Sequence, residues 1–317
     1  MAGVVGALTA CSAASTTSSP TTASASPSLT PTPSATPTPT PTPLSADPLP
    51  SGIVNALVFG TDSREKTSLT GNSDAIVLAQ LSADRTKLTL VSIARDTYVP
   101  LGNGHVKINA AFSGGGTDRL VQAVSDTFGG LPSNSRPSPT SPGSSITRWL
   151  GGIRLLNKHE THPKVISTGR VVDFPTGEIV VTGTDGLIYA RERKSMPLGD
   201  LDRAERHRAL IKGMLTGLQQ TAKTQPAAFA ILAKNLIGNV KVTGFDPAKV
   251  GDLAAPLSLI DVAAVTSLLA PIRGFGKVDG ADVDFLNEAK TAELGRALRA
   301  GDVAPYVAKY GTGYAPA

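Results

Sequence analysis

Residues 12–50 are serine, threonine, alanine and proline almost throughout, with TPTPTPTP repetition between Pro31 and Pro43 and no charged side chain before Asp47. Such a tract has too little apolar surface to bury and prefers polyproline II. It therefore predicts a disordered tether, on the order of 100 Å long at about 3.1 Å per residue. Everything with a core lies after it, in residues 51–317. Hydrophobic content of 40% supports one large domain there rather than two.

The ends of the tether narrow the compartment. Residues 1–11 read MAGVVGALTAC, and LTAC resembles the lipobox of exported bacterial lipoproteins, with Cys11 as the lipidated residue. No basic n-region precedes it and the apolar run is short, so the true start is expected upstream. Cys11 is the one cysteine, which excludes an internal disulfide and a cysteine metal cluster. The expectation is a lipid-anchored protein on the outer face of the cytoplasmic membrane, within the cell wall. A net charge of +5 is compatible with an anionic partner or membrane surface. With 4% aromatics and no long Lys/Arg run, a nucleic-acid groove is not supported.

The domain reads as α/β. IVNALVFG (53–60), AIVLAQL (75–81) and KLTLVSI (87–93) have the composition of buried strands, the last two separated by the turn SADRT. A helix is predicted from Asp118, on the spacing of Leu120, Val121, Val124 and Phe128, and ends at Gly129. EIVVTGTDGLIYARER (178–193) reads as a short strand, a loop and a further segment starting near Thr184. Helices follow at 201–220, 226–237 and 258–270, then a strand, a turn and a final helix within 277–301. Alternating strands and helices predict an α-β-α sandwich with a central mixed sheet.

Charged residues sit at the strand ends. Asp62 and Arg64 follow the first strand, Asp74 precedes the second, and Arg95 and Asp96 follow the third. If the second strand runs opposite to the other two, all of them meet at one sheet edge, where ligands of α/β sheets collect. Two carboxylates held together repel unless a cation lies between them, and oxygen donors suit Mg²⁺. Arginines suit phosphate oxygens. YARERKSMPLGDLDRAERHR adds Arg191, Arg193 and Arg203 to the phosphate-binding candidates. Arg191 and Arg193 share a face if extended, and Arg203 and His207 share one on a helix. Arg206 and Arg208 are expected on a solvated helix face, and KHETH, with His159 and His162, as a polar loop without metal. Asp96 is expected to brace Arg95.

The ordered series GTDSR, GNSDAIVLAQL, LVSIARDTYVPL, KINAAFSGGG, LGGI, DGLIYARER and GDLDRAERHRALI resembles the LytR-CpsA-Psr family of cell-envelope proteins. The resemblance covers roughly Asn55 to Leu218, and the tail to about Leu298 is compatible. It implies an extracytoplasmic α/β enzyme that moves an anionic glycan, such as a teichoic acid, from a polyprenyl-pyrophosphate carrier to peptidoglycan. It further implies Asp62 and Asp74 as ligands of Mg²⁺ (or Mn²⁺), with Asp74 and Arg95 in the catalytic centre. Arg95, Arg191, Arg193 and Arg203 match its pyrophosphate-binding arginines, and Lys107 a head-group contact. His207 stands where the family commonly has glutamine, and it is counted with the pyrophosphate-binding residues because either side chain can donate to phosphate. The alternatives are a phosphohydrolase of the same lipid and a non-catalytic lipid-phosphate or glycan binding module. One stretch departs from the family: LPSNSRPSPTSPGSS (131–145) is too rich in proline to be a central strand. It reads as the product of a compensated pair of frameshifts or as an inserted segment.

Overall fold

The computed structural model describes residues 47–61, 71–131, 136–139, 151–238 and 245–313. Cys11, Asp62 and Arg64 lie outside these residues, as does most of the tether. Among the described residues no helix is long and apolar enough to cross a membrane.

The largest sheet follows the apolar runs. β1 (Val54–Thr61) pairs antiparallel with β2 (Ser73–Leu81), and β2 pairs antiparallel with β3 (Leu88–Ser92). The middle strand therefore does run against its neighbours. β6 (Arg136–Pro139) adds parallel to β1, and β9 (Thr266–Leu269) adds parallel to β3, giving the order β6-β1-β2-β3-β9. Pro137 and Pro139 thus sit in an edge strand, where the amide each lacks is not needed for a second ladder.

The turn between β2 and β3 does more than reverse the chain. Arg85 is 3% exposed and has φ 62°, left-handed for a side chain of that size. Its guanidinium binds Asp47 Oδ2 at 2.7 Å, Gly52 O at 2.7 Å and Pro50 O at 2.6 Å. The segment from Asp47 to Gly52 is thereby tied to the sheet.

Helices cover both sheet faces. Ile76, Leu78, Val91 and Ile93 pack into one core with α1 (Ile108–Ser113), α2 (Gly116–Thr127) and α7 (Glu288–Ala300). On the other face lies α4 (Asp200–Thr224), pinned where Ser92 Oγ donates to Ala204 O at 3.1 Å. Mixed sheets between helices are the predicted class. A four-stranded sheet, β10 (Ile272–Val278), β11 (Ala281–Leu286), β4 (Thr97–Leu101) and β5 (Gly104–Lys107), lies beyond the end of β3. A two-stranded sheet, β7 (Ile153–Asn157) and β8 (Gly177–Val181), packs with α3 (Gly183–Arg191) on α4.

Three sequence expectations change. The helix expected over 258–270 is instead α6 (Ala254–Leu259) followed by β9, because parallel pairing with β3 captures the short apolar run TSLL. A run of that length does not separate strand from helix by periodicity. Arg191 closes the helix α3 and Arg193 lies beyond it, so the two do not alternate along one extended segment. The β4–β5 hairpin and α1 went unread between Thr97 and Ser113. α5 (Pro226–Gly238) falls where expected, and α8 (Ala304–Tyr310) follows the helix expected to be last.

Candidate active site

The β2–β3 register places Val77 opposite Ser92, and Ile93 N donating to Ile76 O at 2.9 Å carries the pairing onward. Two residues further along, Asp74 and Arg95 stand across from each other. Arg95 Nη1 donates to Asp74 Oδ1 in an ion pair, both side chains partly buried. Antiparallel pairing of two apolar runs is thus what brings the acid and the arginine together.

Three further elements converge there. Lys107, ending β5, reaches Asp96 Oδ1 at 2.6 Å, while Arg95 Nε stays 3.8 Å from that oxygen. From α4, Arg203 Nη2 lies 3.4 Å from Asp74 O and 3.2 Å from Asp200 Oδ1. Arg193, beyond α3, pairs with Asp200 at 3.4 Å. Asp74, Arg95, Asp200, Arg203 and His207 line one cleft. Arg191 ends α3 exposed, and among the described residues no ion pair joins it to this cluster.

The electrostatics leave one donor of this cluster unmet. Arg95 Nε is buried and has no hydrogen-bond partner, a costly state for a donor unless a ligand supplies the acceptor. Burial pulls Arg203 below the usual guanidinium range, against the pull of Asp200 and Asp74. The remaining cations are matched to carboxylates, which hold them in place at little net charge.

His207 is committed to the protein. Its Nε2 lies 2.8 Å from Ala190 O, an oxygen that only accepts, so Nε2 carries the proton. Burial pushes its pKa down to about 4. The imidazole is neutral at physiological pH, and only Nδ1 is left to face the cleft.

Asp284 belongs to the site and has no motif to announce it. It sits on β11, where parallel pairing with β4 sets it opposite Thr97, and its amide donates to Asp96 O at 3.0 Å. Burial, then the charges of Asp96 and Asp200, push its pKa up to about 6. Only the β4–β11 pairing reveals it, since its neighbours in sequence form an ordinary strand.

The solvated face expected for Arg206 and Arg208 is absent. They are 2% and 7% exposed. Arg206 Nη2 donates to His159 O and Thr161 Oγ1, each at 2.8 Å, and its guanidinium lies 4.3 Å from the Tyr189 ring centroid. A carbonyl, a hydroxyl and a π face meet part of this charge, while Arg206 Nε and Nη1 have no hydrogen-bond partner. The KHETH segment also meets acids that spacing did not reveal. His159 Nε2 lies 3.4 Å from Asp202 Oδ1 and 3.8 Å from Glu205 Oε2, and ligand atoms of all three fall within 4.8 Å. Lys158 is already paired with Glu205, so the acids there have a cationic partner. His162 is exposed, between Glu160 at 3.1 Å and Asp173 at 2.7 Å.

The model of the LytR_cpsA_psr family matches residues 21–299. A relative from Oceanobacillus iheyensis, named polyisoprenyl-teichoic acid–peptidoglycan teichoic acid transferase TagU, is 32% identical over 213 residues. That match spans 63% of this chain and 61% of the relative. The crystal structure of B. subtilis TagV superposes with a TM-score of 0.68 at 20% identity, covering 80% of this chain and 98% of that one. A structure of TagT bound to LIIa-WTA superposes at 0.63 with 21% identity, over 78% of this chain and 90% of that one.

Proposed function

The chain belongs to the LytR_cpsA_psr family, and on that premise we propose that it transfers an anionic glycopolymer from a polyprenyl-pyrophosphate carrier to peptidoglycan. The observation that carries the reading is the Asp74–Arg95 pair beside Arg203, with Arg95 Nε buried and without a hydrogen bond. Arg95 and Arg203 line the cleft, and Arg193 and Lys107 are held beside it by Asp200 and Asp96, so four segments bring cations within reach of a pyrophosphate. The named activity of the TagU relative supports the same reaction class.

In this reading a hydroxyl oxygen of the wall glycan attacks the phosphorus that carries the polymer. A new P–O bond forms, and the bond to the bridging oxygen breaks. Polyprenyl phosphate leaves with that oxygen and the electron pair. Arg95 and Arg203 stabilise the charge that builds on the leaving phosphate. The hydroxyl proton passes to a carboxylate, for which Asp74 is the nearest candidate. Asp74 Oδ1 is held by Arg95, while Oδ2 stays clear of that contact and suits a hard cation. Mg²⁺ or Mn²⁺ would be held by Asp74 and Asp62, and would supply charge neutralisation at the pyrophosphate. Arg191 joins the site only if a ligand draws it in. Cys11 as a lipid anchor places the domain at the outer face of the membrane.

The test uses the full chain in vesicles with a polyprenyl-pyrophosphate-linked glycan and Mg²⁺, with and without peptidoglycan strands. Glycan covalently on the strands, lost in Arg95→Ala, is the expected result. Glycan released to water regardless of acceptor would overturn it in favour of a phosphohydrolase. Binding without turnover would reduce the protein to a lipid-phosphate binding module.

A further inference from the structure

A second cluster of buried cations lies along α4, away from the Asp74–Arg95 cleft. A groove of about 450 Å³ runs between β7 and the start of β9, with α4 as its floor. The floor is one helical stripe, including Glu205, Arg208, Ala209, Lys212 and Thr216. Arg208 is 7% exposed, and its Nε and Nη1 have no hydrogen-bond partner. Burial lowers its pKa to about 10, with Glu205 opposing.

The acids of the groove are already spent. Asp202 accepts from Leu198 N at 2.7 Å and faces His159, and Glu205 is paired with Lys158. Glu178 lies 3.8 Å from Arg154. Arg206, Arg208 and Lys212 are left, among the described residues, without an ion-pair partner, and of these Arg206 is tied to His159 O and Thr161 Oγ1. A guanidinium taken out of water with its donors unmet is destabilising unless something binds it. An acceptor with several oxygens and a delocalised negative charge meets that need, and a fork of N–H donors favours phosphate oxygens.

We propose that this groove binds a phosphodiester of the anionic glycopolymer, as an anion site separate from the pyrophosphate cleft. The proposal rests on the transferase reading for the identity of its ligand. Arg203 and Arg208 project from the same helix, five residues and about 7.5 Å apart along its axis. They point to different sides, Arg203 to Asp74 and Arg208 to the groove. A polymer whose lipid end is held by Arg95 and Arg203 is thereby gripped a second time along its repeating units.

The test titrates the full chain with a lipid-free glycerol-phosphate oligomer and, separately, with inorganic pyrophosphate. Arg208→Gln is expected to weaken the oligomer at least tenfold and leave pyrophosphate within twofold. Arg95→Ala is expected to do the reverse. Lys212→Gln, on the more exposed part of the stripe, repeats the first pattern more weakly and guards against misfolding of the Arg208 variant. Oligomer binding that ignores both groove substitutions overturns the proposal. So does a groove occupied by orthophosphate or a muramyl peptide in preference to the oligomer. Failure of the transferase reading shows elsewhere, as absent glycan transfer from the lipid donor with oligomer binding intact.

Discussion

Asp96 takes Lys107 Nζ at 2.6 Å and leaves Arg95 Nε at 3.8 Å. The acid beside Arg95 in sequence thus chiefly holds the lysine that closes β5, and Arg95 remains directed at Asp74. Both members of the Asp96–Lys107 pair are about one quarter exposed, so solvent discounts it. Asp96→Asn is expected to lower stability to chemical denaturation by about 1 kcal/mol. Glycan transfer should stay within about threefold. A hundredfold loss of transfer at unchanged stability would make Asp96 a participant in the chemistry.

Asp284 carries a carboxyl that the fold holds against its charge. Its pKa is raised to about 6, so the folded state binds a proton more tightly than the unfolded one. The stability it contributes is full below pH ~3.8 and is lost as pH rises through about 6. Asp284→Asn removes that penalty, and at pH 7.5 should raise stability by roughly 3 kcal/mol, scaled from the shift at 1.36 kcal/mol per unit. The gain should vanish at pH 4. Urea melts at the two pH values check it; a loss at pH 7.5 would mean that Asp284 carries an essential ionic contact.

The sheet edge was legible because its chemistry is local. Asp74 and Arg95 each adjoin an apolar run, and a polar turn between the runs makes antiparallel pairing the simplest arrangement. Arg203 was legible as a neighbour of that edge from its place in the GDLDR series. Asp284 was not, because nothing near it in sequence encodes a parallel pairing with Thr97. Arg206 and Arg208 were misplaced for a related reason. A charged helix position is normally solvated, and only the docking of β7, α3 and β9 on α4 buries these two. Arg191 and Arg193 would share a face only in an extended segment, and the helix that ends at Arg191 separates them.

His207 predicts an acid limb. Its pKa is lowered to about 4 by burial, so the unfolded state takes up the proton first as pH falls. Stability is full above pH ~6.5 and declines as pH falls toward 4, by up to roughly 3 kcal/mol on the same linkage. His207→Gln keeps a donor for Ala190 O and does not titrate. Its stability should therefore decline less than that of the parent chain between pH 6.5 and 4. Parallel declines in both proteins would show that another group governs the acid limb.

Arg206 is the brace between α4 and the two-stranded sheet. Its Nη2 serves His159 O and Thr161 Oγ1, and its guanidinium lies over Tyr189, which in turn donates to Asn157 Oδ1 at 3.2 Å. Asn157 Nδ2 also donates to His159 O and Phe174 O, each at 2.9 Å, so one network closes the loop from 157 to 174. Arg206→Ala removes two charge-assisted bonds, a cation–π contact and the packed stem. A loss of about 3 kcal/mol is expected, in the range for breaking a buried polar network. Because the network ends at the sheet, hydrogen exchange should speed up over residues 157–174 while β2 and β3 keep their protection. Pyrophosphate affinity should hold within about twofold, since Arg95 and Arg203 are anchored to Asp74 and Asp200 rather than to this network. Uniform loss of protection across β2 and β3 would show that Arg206 supports the whole domain, not this one corner.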